Sequence, residues 1–458
     1  LSAARLRDYQ VRLADEAISR TSKGGAIIVQ SATGSGKTTT AAEIAARKAR
    51  SGWVLYVVPR DEIHGQTVRT VGQRVRDVES LTSGADLRWP TRGVMVAMGL
   101  TLQSRLRQGA KPPRAPVAVV VDEAHYGPAV AATLRKMWPH VPMIGLSATP
   151  VRLNDYKLAG IYTEGIVAGP QYRDLVAGGY LVPIRTLTAH APDLRGVRVI
   201  GGDWDAGGLG RAFSAVVGDA VAMWRQHASG RRTLTFAATR EHGQQLLSRY
   251  KAAGIRAAYV DGETPADKRA AALLALRRHA IDVLVNVALF VEGLDIPEID
   301  CIQWHTATRS LAKFLQGTGR GTRRAPGKRD LLVLDHGGNV DVHGLPDDDR
   351  EWVLDDDPPA KGSAPLRTCR MCGATIRVAC ARCHPPVRGI PAVVHGSLRE
   401  AVPKRAPLSV AVMPTPPRPC PPQLMVWRQV WDRLEAERYA RRGDPRVVDE
   451  MMRVYCGR

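Results

Sequence analysis

Short apolar runs recur through the first third of the chain and are separated by stretches with helical spacing. They are Ala26-Ile-Ile-Val29, Val54-Leu-Tyr-Val-Val58, Val94-Met-Val-Ala97, Val117-Ala-Val-Val-Val121 and Met143-Ile-Gly-Leu146. Near-continuous apolar runs bounded by turn residues predict parallel strands buried on both faces, with helices as crossovers. The same rhythm returns at Thr233-Leu-Thr-Phe236, Ala257-Ala-Tyr-Val260, Val283-Leu-Val285, Cys301-Ile-Gln-Trp304 and Leu331-Leu-Val-Leu334. Two tandem parallel-sheet α/β domains are therefore expected, at 1–175 and 176–345, joined by the glycine-bearing, hinge-like stretch from Asp174 to Pro183. The glycine-rich stretch Gly201 to Gly210 reads as a loop.

After residue 345 the pattern stops. Residues 346–366 are acidic and punctuated by proline, as linkers are. A cysteine cluster at 367–386 follows, and then a proline-rich stretch within 387–458 that ends in an amphipathic helix from about Leu424 to Arg442. Trp427, Trp431 and Leu434 share one face of that helix, which reads as a packing face.

Composition adds a partner class. Of 458 residues, 44% are hydrophobic and 24% charged, as in globular proteins, but the net charge of +21 favours a polyanion. Nucleic acid comes first and an anionic membrane surface second, with plain arginine enrichment as the bland alternative. No apolar run is long enough to span a membrane and no charged-then-apolar leader opens the sequence, so a cytoplasmic location is expected. Four of the seven cysteines are bunched, which in a reducing compartment suggests metal before disulfides.

The chemistry concentrates at Gln30-Ser-Ala-Thr-Gly-Ser-Gly-Lys-Thr-Thr39, between a strand and a helix. In that context backbone N–H groups and the helix N-terminus converge on phosphates. Gly34 and Gly36 allow close approach, Lys37 is placed to reach the β- and γ-phosphates, and the Thr38 hydroxyl is placed for Mg²⁺. Ser31 occupies the first slot, where glycine is usual. Val117-Ala-Val-Val-Val-Asp-Glu-Ala-His125 ends another buried strand with the required carboxylates, Asp122 for the Mg²⁺ environment and Glu123 as the base for the attacking water. The pair of motifs points to an NTPase.

Together, Asp122-Glu-Ala-His125, Ser147-Ala-Thr149 and Gln316-Gly-Thr-Gly-Arg-Gly-Thr-Arg323 resemble motifs II, III and VI of superfamily 2 helicases, in order, within a signature from about residue 5 to 335. The resemblance implies RecA-like domains, and Ser31 departs only at a position that varies in the superfamily. It implies ATP selection by Leu6-Arg-Asp-Tyr-Gln10, with Arg7 and Gln10 at the base. Thr33, Ser35 and Thr39 join the nucleotide loop, and Gly293 and Asp295 of Glu292-Gly-Leu-Asp-Ile-Pro297 reach the nucleotide from the second domain. Gln316, Arg320 and Arg323 then face the γ-phosphate, while His125, Ser147, Ala148 and Thr149 couple hydrolysis to movement. Nucleic-acid contacts are implied at Pro59, Arg60, Thr101, Gln103, Thr239, Arg240 and Asn286.

Cys369, Cys372, Cys380 and Cys383 form Cys-x₂-Cys-x₇-Cys-x₂-Cys, a set that can close a tetrahedral, structural Zn²⁺ site. With this cluster directly after the core, the chain looks most like the RadD-type DNA helicases, a bacterial and phage group related to the translocating subunit of type III restriction enzymes. That implies DNA as partner, whether single-stranded, duplex or forked. It implies a repair, recombination or replication setting, with single-stranded-DNA-binding or recombination proteins as candidate partners. An RNA-stimulated ATPase stays open as an alternative, as does a nucleic-acid scaffold with a decayed ATPase. Against the latter, Lys37, Thr38, Asp122, Glu123, Arg320 and Arg323 are all present.

Overall fold

The structure, a computed structural model, describes residues 5–150, 158–188, 192–214, 217–287, 289 and 296–354, with three short strand segments beyond. The first domain alternates helices and strands: α1 (Asp8–Arg20), β1 (Ala26–Gln30), α2 (Lys37–Lys48), β2 (Trp53–Val58), α3 (Asp61–Gly72), β3 (Val78–Leu81), β4 (Gly93–Met98), α4 (Gly99–Arg107), β5 (Ala118–Val121), α5 (Pro128–Met137), β6 (Met143–Ser147), β7 (Ile166–Ala168) and α6 (Tyr172–Ala177). Its seven strands form one parallel sheet in the order β3-β4-β2-β5-β6-β1-β7. Successive side chains go to opposite faces. Ile27, Val29, Val54 and Tyr56 pack with α1 and α2, whereas Ile28, Leu55 and Val57 pack with Leu102, Ala131 and Leu134 of α4 and α5.

The second domain runs β8 (Ile184–Thr188), β9 (Val199–Ile200), β10 (Asp203–Trp204), α7 (Ala206–Ser214), α8 (Val217–His227), β11 (Thr233–Ala237), α9 (Arg240–Ala252), β12 (Ala257–Val260), α10 (Ala266–Arg277), β13 (Val283–Val287), β14 (Cys301–His305), α11 (Leu311–Thr318), β15 (Leu331–Asp335) and α12 (Asn339–His343). Beyond it lie β16 (Arg367–Thr368), β17 (Thr375–Ile376) and β18 (Arg399–Glu400). The main sheet is ordered β12-β13-β11-β14-β15-β8-β18, parallel except for β18. Two parallel-sheet α/β domains, RecA-like as expected, are thus in place. Both sheets are open and, β18 apart, parallel, so their loops at the strand C-terminal ends are the natural place for ligands. Among the described residues no helix is long and apolar enough to cross a membrane.

Two stretches differ from expectation. Gly201 to Gly210 is not a loop throughout: it contains β10 and the start of α7. Asp205 starts that helix by accepting the Gly208 N–H at 2.8 Å, and burial of Leu209 and Phe213 holds it. The beginning of the acidic stretch also packs. Leu345 is buried in the second domain's core, and Leu354 packs against a core cluster of the first. Gln171 receives the Arg350 N–H and donates to its carbonyl at 3.1 Å. The cysteine cluster, the tail helix, Gly293 and Asp295 lie outside the described residues.

Candidate active site

β1 delivers the chain into a loop that α2 closes. Gly34 and Gly36 both have φ of +85°, a left-handed conformation that glycine alone enters without strain. Space is short as well: a Cβ on Gly36 would lie 2.6 Å from Gln10 Nε2, and one on Gly34 would lie 2.8 Å from Thr322 Oγ1 of the second domain. Ser31 donates its hydroxyl to Ser35 Oγ at 2.7 Å, so the residue in the unexpected slot ties the loop to itself. Buried Gln10 donates to the Ser35 carbonyl at 3.1 Å and accepts the Arg7 N–H at 3.0 Å. The Arg7 guanidinium lies 4.7 Å from the centre of the Tyr180 ring.

The carboxylates stand at the end of β5. Thr38 Oγ1 donates to Asp122 Oδ2 at 3.4 Å and the buried Tyr56 hydroxyl to the same oxygen at 3.2 Å. Lys37 Nζ lies 3.8 Å from Glu123 Oε1. Burial, and then the Glu123 charge, push the Asp122 carboxyl up to about 6. Burial acts the same way on Glu123, but Lys37, His125 and Arg320 outweigh it and hold that carboxyl below its ordinary value. Glu123 has φ of +45°, the kind of strained backbone that collects at functional sites. Its Oε2 is buried with no hydrogen-bond partner among the described residues. Two buried carboxylates beside a threonine hydroxyl, one oxygen unsatisfied, fit a divalent cation with oxygen ligands.

The second domain meets this centre directly. Gln316 Nε2 lies 3.0 Å from His125 Nε2, and His125 Nδ1 lies 2.9 Å from Ser147 Oγ, which also accepts the Thr149 N–H at 3.0 Å. Gln30 donates to the Ala148 carbonyl at 3.2 Å, tying that turn to β1. Arg320 is nearly buried and acts electrostatically on Glu123. Gly319 is pressed so close to Thr33 that a Cβ would come within 2.3 Å of its methyl carbon. Arg323 lies beside Gly34 and forms a backbone bridge with Leu181. Lys328 was missed by sequence reasoning: its ammonium donates to the carbonyls of Pro297 at 2.8 Å and Gly321 at 2.6 Å, and to that of Ile299. Tyr56, Tyr180 and the Ser31–Ser35 bond were missed too, since no spacing in one sequence marks them.

The residues expected to touch nucleic acid divide. Pro59 and Arg60 follow β2, and the Arg60 guanidinium lies 4.7 Å from the Tyr126 ring centre. Thr101 is half-buried in the first turn of α4, but Gln103 is buried on its core side. Thr239 caps α9 by accepting the His242 N–H at 3.1 Å, and exposed Arg240 pairs with Glu263. Asn286 departs from expectation. It is wholly buried in β13 and donates to the Thr235 carbonyl at 2.9 Å, because its side chain points into the sheet's packed face and ties β13 to β11.

Residues 3–152 match the family model described as type III restriction enzyme, res subunit, and residues 215–325 match the helicase conserved C-terminal domain. A 51.5 kDa protein of a Lactococcus phage (isolate 7-9) is 28% identical over 333 residues, covering 71% of this chain and 68% of its own. IRC3 of Saccharomyces cerevisiae, assigned by inference as an ATP-dependent helicase, is 27% identical over 360 residues, covering 73% and 52%. The DNA-bound, ATP-dependent type ISP restriction-modification enzyme LlaBIII has a similar fold. Its TM-score is 0.56 at 17% identity, over 73% of this chain and 28% of that one.

Proposed function

We propose, from the premise that this chain belongs to the superfamily 2 helicases and hydrolyses ATP, that it is a DNA translocase or helicase whose active centre is completed by closure of the two domains. The observation that carries this reading is the contact of Gln316 with His125 next to Glu123. Lys37 and the N-terminus of α2 bind the phosphates. Thr38 and Asp122 are the residues that would hold Mg²⁺, which when bound neutralises charge on the β- and γ-phosphates. Glu123, kept ionised, orients the attacking water and takes its proton. Arg320 and Arg323 bring positive charge from the other domain to the γ-phosphate side. Arg7 and Gln10 are the residues assigned to the adenine edge, a reading supported by the Gln10 amide lying beside the nucleotide loop, where it donates to the Ser35 carbonyl.

Since Lys37 and Arg320 belong to different domains, bound ATP favours the closed pair and product release relaxes it. His125, Ser147, Thr149 and Gln316 link that event across the cleft. Arg60 and Thr239, which follow β2 and β11, and Thr101 and Arg240, in the first turns of α4 and α9, are the residues proposed to meet a phosphate backbone. DNA is favoured over RNA by the restriction-enzyme character of the first domain, and a bacterial or phage-infected cytoplasm accords with the phage relative; DNA repair, recombination or replication is the setting proposed with it.

Zinc belongs to the same proposal. Four thiolates at this spacing suit Zn²⁺, and the antiparallel pairing of Arg367 with Ile376 and Thr368 with Thr375 brackets Cys369 and Cys372 in sequence. Zinc analysis of Cys372→Ala tests this, since retained stoichiometric metal refutes the four-cysteine set.

ATP turnover with single-stranded, duplex and forked DNA and with RNA, against Lys37→Ala, tests the main reading. Stimulation by DNA that Lys37→Ala abolishes is the expected result. No stimulation by any DNA, or preferential stimulation by RNA, contradicts it.

A further inference from the structure

Tyr126 directly follows Asp122-Glu-Ala-His125 and differs from the residues it follows. Asp122, Ala124 and His125 are buried, whereas Tyr126 is 39% exposed. A single exposed ring is ordinary, but this one is held in place. The Arg60 guanidinium lies 4.7 Å from its centre and also donates to its hydroxyl, and the His125 ring stands edge-on to it at 6.0 Å. Arg60 follows β2 and Tyr126 follows β5, which are neighbours in the sheet, with β4 on the other side of β2 and Thr101 beyond its end. An aromatic face beside a cation, at the C-terminal ends of parallel strands, offers what a single nucleic-acid strand needs. The ring can carry a base and the guanidinium a phosphate.

Tyr126 also belongs to the turn that carries the base for hydrolysis. Its N–H donates to the Glu123 carbonyl at 2.7 Å, closing a turn through Ala124 and His125. The near end of that turn is pinned to the sheet. Asp122 N–H donates to the Val57 carbonyl at 2.9 Å, and Ala124 N–H to the Leu146 carbonyl at 2.8 Å. Glu123 lies between these bonds with φ of +45°, and its Oε2 is 3.6 Å from His125 Nδ1. A strained residue keeps its conformation only where its surroundings over-determine it. Whatever steadies Tyr126 at the far end of the turn therefore helps to hold Glu123.

We propose that Tyr126 stacks on a base of the bound DNA strand and thereby steadies the turn that positions Glu123, so that hydrolysis quickens when the strand is in place. The assignment rests on the DNA-translocase reading and deepens it by naming the residue through which DNA reaches the ATP site. Tyr126 is a positioning residue in this scheme, since it acts on the attacking water only through Glu123. A backbone phosphate draws the Arg60 guanidinium while the base takes the ring. Stacking on a ring tolerates every base, as a protein that moves along DNA requires.

The test measures ATP turnover against the concentration of two single-stranded oligonucleotides of equal length, one of ordinary nucleotides and one of abasic units. Wild type, Tyr126→Ala and Tyr126→Phe are compared. The two strands carry the same phosphates and differ in the bases alone. Wild type is expected to be half-saturated by the ordinary strand at about tenfold lower concentration, and to reach a kcat about fivefold higher on it. Tyr126→Ala treats the two strands alike in both respects, whereas Tyr126→Phe, which keeps the ring, discriminates as wild type does. A merely structural role would lower turnover on both strands together and leave the preference intact. A wild type that does not distinguish the strands, or an Ala variant that still does, overturns the stacking. Equal kcat on the two strands overturns the relay to Glu123. Wild-type turnover that neither strand raises sinks the DNA-translocase reading itself, and the proposal with it.

Discussion

Gln316 of the second domain and His125 of the first lie 3.0 Å apart, nitrogen to nitrogen, both buried, and they form a polar bridge across the nucleotide cleft. With the amide donating, the ring's other nitrogen keeps its proton for Ser147, so one contact orients the imidazole for the turn that carries Thr149. Replacing Gln316 by Ala removes the bridge without touching the nucleotide loop. DNA-stimulated kcat is expected to fall by about tenfold or more, the worth of one to two buried hydrogen bonds. ATP affinity, measured by titration of a fluorescent analogue, stays within about threefold.

Ser31 makes a narrower case. Its hydroxyl bond to Ser35 holds the loop in its phosphate-ready shape. Ser31→Ala loses about 1 kcal/mol of that organisation. The expected outcome is a KM for ATP raised about fivefold with kcat nearly unchanged, since the lost contact serves binding and not the chemical step. Steady-state kinetics at saturating DNA decide it.

Lys328 joins the carbonyls of Pro297 and Gly321, and Gly321 lies between Arg320 and Arg323. It positions the arginine-bearing turn without itself reaching the cleft. Lys328→Met leaves buried carbonyls unpaired, at about 1–3 kcal/mol each, so the melting temperature falls. A positioning role for Lys328 also requires kcat to fall more than KM rises. Burial pulls the Lys328 ammonium down to about 8, so wild-type kcat is expected to decline above that pH as one of its three protons is lost, and the Met variant lacks that limb.

Acid weakens the second domain through three histidines. The His305 and His336 rings stack at 4.0 Å, and His242 stands edge-on 6.1 Å from His305. Burial pulls His242 down to about 4 and His336 to about 3, and it pulls His305 well below its ordinary value, with the two neighbouring rings adding to the effect there. Unfolded, each takes a proton near 6.5, so between that pH and about 4 the unfolded chain binds more protons. Stability present above 6.5 is lost as pH falls through that window. Asp335, raised to about 6 by burial, works in the opposite direction. Urea unfolding at pH 7.5, 6 and 5 is expected to show a falling midpoint, with a shallower fall in His305→Leu.

The sequence made legible what periodicity and local motifs encode. Strands such as Val54–Val58 and Val283–Val285 are continuous apolar runs, and the Lys37 loop and Asp122-Glu123 are contiguous strings at strand ends. Less legible were two edge strands: β3, whose Glu79 and Ser80 break the apolar run, and β7, which is only three residues long. The hairpin Val199–Trp204 was hidden because its glycines read as loop, while what fixes it, Asp203 to Thr308, is distant in sequence. Asn286 shows the converse: a polar residue beside a motif suggested a contact surface, but its partner is the Thr235 backbone. Tertiary pairings of this kind leave no mark on a single chain.

Under the proposed function, the ATP site is complete only when the second domain supplies its arginines. Arg320→Ala tests it most directly, by DNA-stimulated kcat measured alongside ATP affinity. The expected outcome is a kcat lower on the order of 10³-fold, as loss of such an arginine gives in other NTPases, with ATP bound nearly as tightly. A variant that turns over ATP at the wild-type rate would contradict it.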